Sequence, residues 1–259
     1  MVNQNTAKWA GKIKVHKNEV DSTNEVAKRA GNAGAEHGSI FVADRQTAGK
    51  GRRGREWYSS SEDNLYFTIL LRAPLEPQKA AMLTLVMALA VADGVAEYTG
   101  LEAEIKWPND IVVHGRKVCG ILSEMKLDGI SMEYCVVGVG VNVGSQNFPA
   151  DIHDMATSLE AEKGMGISKE ILLQRILVWF EEYYEIFMEK GNLNFLQKKY
   201  NTRLINRDKQ VRVLDPKGEY EGVAKGISED GELLIELPDG SIQKVYAGEV
   251  SVRGLYGYV

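Results

Sequence analysis

Apolar and polar positions alternate in two textures along this chain, a helix-and-strand mixture up to about residue 208 and short strands alone after it. Ser22 stands three positions before Glu25 in Asp21-Ser22-Thr23-Asn24-Glu25, the spacing of a capping box, and VAKRA carries the predicted helix to Gly31. SIFVADR at 39–45 and NLYFTILLR at 64–72 read as buried strands. Pro77 to Gly100 is the clearest helix, with Pro in its first turn and Gly after its last periodic residue. Its run AAMLTLVMALAVA is apolar nearly all round, and Asp93 with the terminal charges makes it a core helix and not a membrane span. Lys106-Trp107-Pro108-Asn109-Asp110 breaks any helix between strand-like flanks, while His114-Gly115-Arg116 and Asp128-Gly129 are turns of an antiparallel meander. Ser168 caps KEILLQRILVWFEEYYEIFMEKG, Asn192 begins NLNFLQKKY, and Trp179, Phe180, Tyr183, Tyr184 and Phe187 recur at helical spacing as core. From Lys209, strands separated by Pro216-Lys217-Gly218, Asp230-Gly231 and Asp239-Gly240 predict a small β-barrel.

Two stretches carry chemistry beyond packing. From Val136 to Val143, valines 137, 139, 141 and 143 fall on one face, and Gly138, Gly140, Asn142 and then Gly144 on the other. Glycine weakens a strand, so the bare face accommodates either a closely packed helix or a flat ligand. Asn142 favours a ligand, since its amide both donates and accepts. The second stretch, Gly49-Lys50-Gly51-Arg52-Arg53-Gly54-Arg55-Glu56-Trp57, joins two predicted strands and suits a phosphate or carboxylate. It matches G-x-G-x-x-G as text, but a strand follows where a dinucleotide fingerprint needs a helix, and Arg55-Glu56 replaces the Lys-Ser/Thr of a P-loop. Ser22, Thr23 and Asn24 cap a helix by spacing, and the free N–H groups there could also hold a polar ligand.

Composition narrows the classes. At 259 residues with net charge −5, the chain has room for one large domain and a small one, and the basic loop is local in an acidic protein. General nucleic-acid affinity is not expected. The two cysteines, Cys119 and Cys135, lie in apolar runs without metal spacing, which indicates reduced buried thiols, no zinc site and a cytoplasmic protein. The polar N-terminus MVNQNTAKWAGK lacks the apolar run of a signal peptide.

DSTN at 21–24, Gln46 with AGKGRRGREW at 48–57, KWPND at 106–110, GRKVCGILSE at 115–124 and GVGVNV at 138–143 together resemble a biotin–protein ligase over almost the whole chain. The resemblance implies an α+β fold, a mixed and largely antiparallel sheet with helices on one side, like the class II synthetase core, followed by an SH3-like barrel. The implied domains are an N-terminal extension at 1–13, a catalytic domain at 14–208 and the barrel at 209–259. It also implies that biotin and ATP, with Mg²⁺ on the nucleotide, give biotinyl-5′-AMP, and that a lysine of a biotin carboxyl carrier protein then takes the biotinyl group. Carried over by motif, Ser22, Thr23, Asn24, Gln46, Gly49, Lys50, Gly51, Arg52, Lys117 and Gly120 would bind biotin. Arg52, Arg53, Arg55, Trp57, Lys106, Asn109, Lys117, Gly138, Gly140 and Asn142 would bind ATP or the adenylate. Trp57 would shield the ligand, and no protein side chain is assigned to the metal.

Lys50 stands where the family often has Arg, keeping charge but losing the planar fork. Only about a dozen residues precede the core, too few for the winged-helix domain of some members, so a DNA partner is not expected; nor is a membrane, since no apolar run reads as a membrane span. A homodimer is left open. The catalytic residues implied are Arg52 and Lys117, which would offset repulsion between carboxylate and phosphate, and Asp110, either the base for the carrier lysine or a turn residue beside Asn109. Arg253 could reach back to the nucleotide from the barrel. The rival readings are a lipoate–protein ligase and, in another class, an RNA-binding module using KGRRGR.

Overall fold

Short apolar strands closed by tight turns build a seven-stranded sheet in the computed structural model, which describes residues 6–59, 61–215, 218–247, 251–254 and 258–259. Residues 1–5 of the expected extension and Pro216-Lys217 of an expected turn lie outside the described residues. The strands are β1 (Lys14–Val20), β2 (Ile40–Gln46), β3 (Leu65–Leu71), β4 (Ala103–Lys106), β5 (Asp110–Val113), β6 (Arg116–Asp128) and β7 (Ser131–Val141), in the order β1-β2-β3-β7-β6-β5-β4. β1 and β2 are parallel, as their connection through α1 (Thr23–Asn32) allows; the other pairs are antiparallel. β5 turns into β6 through His114 and Gly115, both at positive φ (49° and 75°), the geometry of a tight hairpin. The sheet is therefore mixed and largely antiparallel, as the family resemblance implies.

The two long helices, α2 (Ala80–Thr99) and α4 (Lys169–Lys190), cover one face of this sheet. α2 is apolar all round because it lies between the sheet and α4, and at Gly94 a Cβ would meet the backbone nitrogen of Ile176 at 3.0 Å. α2 has the length and hydropathy to cross a membrane, yet 83% of that stretch is buried inside the fold. Its buried Asp93 accepts from Tyr183 at 2.5 Å and from Arg203 Nε at 2.8 Å and pairs with Lys199 at 2.9 Å, tying α2 to α4 and to α5 (Asn194–Arg203). The short α1 packs on the opposite face, where Ala27 meets Phe41, Leu70, Tyr134 and Val136. That placement aims its N-terminus along the bare strip of β7.

Two local expectations change. Ser22 does cap α1, accepting from the Asn24 N–H at 3.3 Å, but the capping box is not closed: Asp21 takes the Ser22 N–H at 2.8 Å. Glu25 turns away to Lys28 and Lys50, at 2.6 and 2.5 Å, because two ammonium groups outbid one amide. Residues 8–10 of the expected extension are docked, their three N–H groups donating to buried Glu181 at 2.7–3.0 Å. A short α3 (Leu159–Lys163) follows the main sheet.

The chain ends in β8 (Gln210–Leu214), β9 (Tyr220–Ile227), β10 (Leu233–Glu236), β11 (Ile242–Val245) and β12 (Ser251–Gly254), an antiparallel sheet ordered β11-β10-β9-β8-β12. Its apolar side joins the core of the first sheet. Trp107 Nε1 donates to the Gly231 carbonyl at 3.1 Å and Asp208 N to Ala224 O at 2.7 Å across the join.

Candidate active site

The bare strip of β7 becomes a floor, and three segments wall it: the start of α1, the basic loop after β2, and the β4–β5 turn with the end of the C-terminal sheet. A Cβ on Gly140 would meet the Trp57 indole at 2.6 Å and one on Gly120 would meet it at 2.7 Å; one on Gly138 would collide with the Asn24 amide. The flat group lying on the strip is thus the chain's own indole, beside the N-terminus of α1. The indole Nε1 is buried and lacks a hydrogen-bond partner among the described residues.

One end of the cleft is polar and uncharged. Thr23 donates its N–H and its hydroxyl to Gln46 Oε1, at 2.9 and 3.2 Å, and the Thr68 hydroxyl donates to Asn24 Oδ1 at 2.7 Å. Asn24 Nδ2 reaches Leu122 O at 3.2 Å and Glu124 Oε2 at 2.8 Å. Amides and hydroxyls held this way form a prearranged seat for a neutral polar ring.

The loop folds over this seat. Gly51 N donates to Arg55 O and Trp57 N to Gly49 O, while Arg53 and Gly54 take positive φ at its tip. Lys50 pairs with Glu25 at 2.5 Å, pinning the loop to α1. Arg52 donates to Asn109 Oδ1 at 2.9 Å and to the Ala247 carbonyl at 2.8 Å, which pins it to the β4–β5 turn and to the C-terminal sheet.

The other end is cationic around one acid. Lys117 Nζ lies 2.7 Å from Asp110 Oδ1, and Tyr258 donates its hydroxyl to Asp110 Oδ2 at 2.5 Å. Burial alone would push the Asp110 carboxyl up, but the ammonium groups of Lys117 and Lys106 hold it below the ordinary carboxylate range. Lys106 is 6% exposed; burial brings its pKa down to about 8 against the pull of Asp110, helped by Lys117, Arg253 and Arg52. The Arg52 pKa is lowered by burial as well, although a guanidinium stays charged at any working pH.

Of the residues singled out from sequence, Ser22, Thr23, Asn24, Gln46, Lys50, Gly51, Arg52, Arg53, Arg55, Trp57, Lys106, Asn109, Asp110, Lys117, Gly120, Gly138 and Gly140 all line this one cleft, as does Arg253. Two do not. Gly49 lies under the loop, where a Cβ would meet the Trp57 carbonyl at 2.6 Å, so its glycine serves the fold of the loop. Asn142 is buried and donates to the Thr157 carbonyl at 3.1 Å; its amide anchors the segment leading to α3. Asp110 is in place, but a carboxylate held by two partners with a depressed pKa is a poor proton acceptor, so its geometry is that of a counter-charge. Ile121, Leu122, Ser251 and Tyr258 also line the cleft without a signal in the sequence pattern.

Residues 18–142 match the biotin/lipoate A/B protein ligase family, and residues 208–253 match the biotin protein ligase C-terminal domain. The bifunctional ligase/repressor BirA of Bacillus subtilis is 35% identical over 93% of this chain and 74% of its own length. The chain belongs to the biotin–protein ligase family. Another biotin–protein ligase relative, the biotin–[acetyl-CoA-carboxylase] ligase of Paracoccus denitrificans, is 31% identical over 90% of this chain and 98% of its own. The biotin protein ligase of Aquifex aeolicus, solved in complex with biotin and ATP, superposes with a TM-score of 0.81 at 32% identity, covering 94% of this chain and 99% of that one. The match to a biotin–protein ligase therefore extends over both sheets of this chain.

Proposed function

We propose that this chain activates biotin with MgATP to biotinyl-5′-AMP and transfers the biotinyl group to a lysine of a biotin carboxyl carrier protein in the cytoplasm. The observation that carries this reading is one continuous cleft with an uncharged amide-and-hydroxyl seat at one end and Arg52, Lys106 and Lys117 at the other. A ureido ring needs donors and acceptors without charge, whereas a carboxylate meeting a triphosphate needs cations.

In the first step a biotin carboxylate oxygen attacks the α-phosphorus and pyrophosphate leaves. Two anions must approach, and Lys117 and Arg52 place positive charge where it accumulates in that transition state. Asp110 keeps Lys117 oriented. The metal arrives with the nucleotide as part of the substrate. In the second step the carrier amine attacks the acyl carbon, AMP leaves and the amine loses a proton. The mixed anhydride is sensitive to water, and the loop with Trp57 covers it.

The lipoate alternative is disfavoured by the amide seat, since a dithiolane offers no N–H or carbonyl to Thr23, Asn24 and Gln46. The RNA alternative is weakened because Lys50 and Arg52 are already committed to Glu25, Asn109 and Ala247. Exchange of labelled pyrophosphate into ATP by the purified chain tests the reading. Exchange that depends on biotin and not on lipoate supports it, and an absence of biotin-dependent exchange overturns it.

A further inference from the structure

Tyr258 enters the cationic end of the cleft from the C-terminal end of the chain, and nothing in the reading above uses it. Its hydroxyl gives Asp110 Oδ2 a hydrogen bond of 2.5 Å. The other oxygen, Oδ1, faces Lys117 Nζ at 2.7 Å as an ion pair without the angles of a hydrogen bond. Among the described residues, the one well-directed hydrogen bond that orients this carboxylate is therefore the tyrosine's. The ring of the same residue lies 4.4 Å from Lys106 Nζ, which is almost wholly enclosed.

We propose that Tyr258 is a positioning residue for adenylation, its hydroxyl aiming Asp110 at Lys117 and its ring excluding water from Lys106. The proposal rests on the ligase reading. A lysine ammonium swings on a flexible four-carbon stem, so its place in a transition state depends on what holds it. Without the hydroxyl, Asp110 turns both oxygens toward Lys117 and draws it back from the position where carboxylate and phosphate meet. The ring acts separately: it presents a π face to Lys106 and takes the space that solvent would fill. The charged groups facing Lys106 are Asp110, which favours its protonated form, and Lys117, Arg253 and Arg52, which oppose it. Hydration after loss of the ring would restore the protonated form to higher pH.

Two variants of the full chain, Tyr258→Phe and Tyr258→Ala, separate the two roles. Biotin-dependent pyrophosphate exchange reads kcat and the ATP KM; competitive acetylation of Lys106 across pH, followed by mass spectrometry, reads its titration without requiring turnover. Tyr258→Phe is expected to lower kcat about tenfold, the scale of a lost hydrogen bond to a charged group, with the ATP KM unchanged and the Lys106 midpoint still near 8. Tyr258→Ala is expected to show the same kcat loss and to move the Lys106 midpoint up from about 8 toward the ordinary 10.5. A Tyr258→Phe enzyme with wild-type kcat overturns the hydroxyl's role, and an unmoved Lys106 midpoint in Tyr258→Ala overturns the ring's. Faster exchange with a lower ATP KM in either variant would make Tyr258 a plug in the phosphate position and also overturns the proposal. If the wild-type chain shows no exchange, the ligase reading fails by itself, and the acetylation arm still decides whether the ring shields Lys106.

Discussion

Lys117 and Asp110, 2.7 Å apart, are the pair on which the chemistry of the cleft turns. Lys117→Ala should keep the fold and lower adenylation about a hundredfold or more, the usual cost of a preorganised charge at a transition state. Pyrophosphate exchange beside a thermal melt checks this, and an active, folded variant would remove Lys117 from the mechanism. Asp110→Asn should slow adenylation and transfer alike, because the carboxylate acts on the lysines and not on the incoming amine. It also strips Lys106 of its one opposing charge, leaving Lys117, Arg253 and Arg52 unopposed, so the Lys106 pKa falls further below about 8. The grip on the nucleotide, read as ATP KM against pH, should then weaken at a lower pH than in the wild type. The loop cations, the start of α1 and the glycine strip were legible as chemistry, whereas Gln46, Lys106, Asn109, Asp110, Lys117 and Gly120 were reached only through the family resemblance of the motifs that contain them. Asn142 stands outside the cleft lining because alternation reveals which face a residue occupies but not whether that face is still open at its position, and Gly49 because a motif does not say which side of its loop a residue takes. Tyr258 was silent: a tyrosine one position before the last residue shows no periodicity or spacing to interpret.

Among the elements, the basic loop is the one whose freedom matters. It is tied to α1 by Lys50 and Glu25, with 47% and 25% side-chain exposure, an ion pair worth under about 1 kcal/mol. Glu25→Gln should therefore leave global stability nearly unchanged while exposing Arg52, Arg53 and Arg55 to trypsin faster than in the wild type. Biotin with MgATP should suppress that cleavage in both proteins; equal rates without ligand would show that the pair does not restrain the loop. This contact also explains why the capping box could be read in the sequence yet is not formed, since a cap spacing says nothing about cations arriving from a loop 25 residues away. β1 escaped the pattern reading for a related reason. KVHKNEV is an edge strand with mostly exposed side chains, so it offers no apolar alternation to detect. The glycine strip was readable as room for a close helix or a flat ligand, and the structure places the first turn of α1 against Gly138 and the Trp57 indole against Gly140.

At the scale of the whole molecule, the two sheets share one apolar core, and Trp107 bonds across the join to Gly231. Thermal unfolding should accordingly be a single transition by near- and far-ultraviolet circular dichroism. Cys119 and Cys135 give a second probe, because burial pushes both thiols up, Cys135 to about 12. Their alkylation should track that same transition; modification of both ahead of it would mean that the first sheet, which carries them, opens before the rest. The two-part organisation was legible in the change of texture near Lys209, whereas the contribution of the last residues to the cleft depends on how the parts are set against each other, which no local pattern encodes.

Arg52 grips three separate pieces of the molecule: its own loop, the Asn109 turn and the Ala247 carbonyl. A loop that lifted to admit substrate or to release product would require that guanidinium to let go of the other two, so each such opening would also unfasten a stitch between the two halves of the protein.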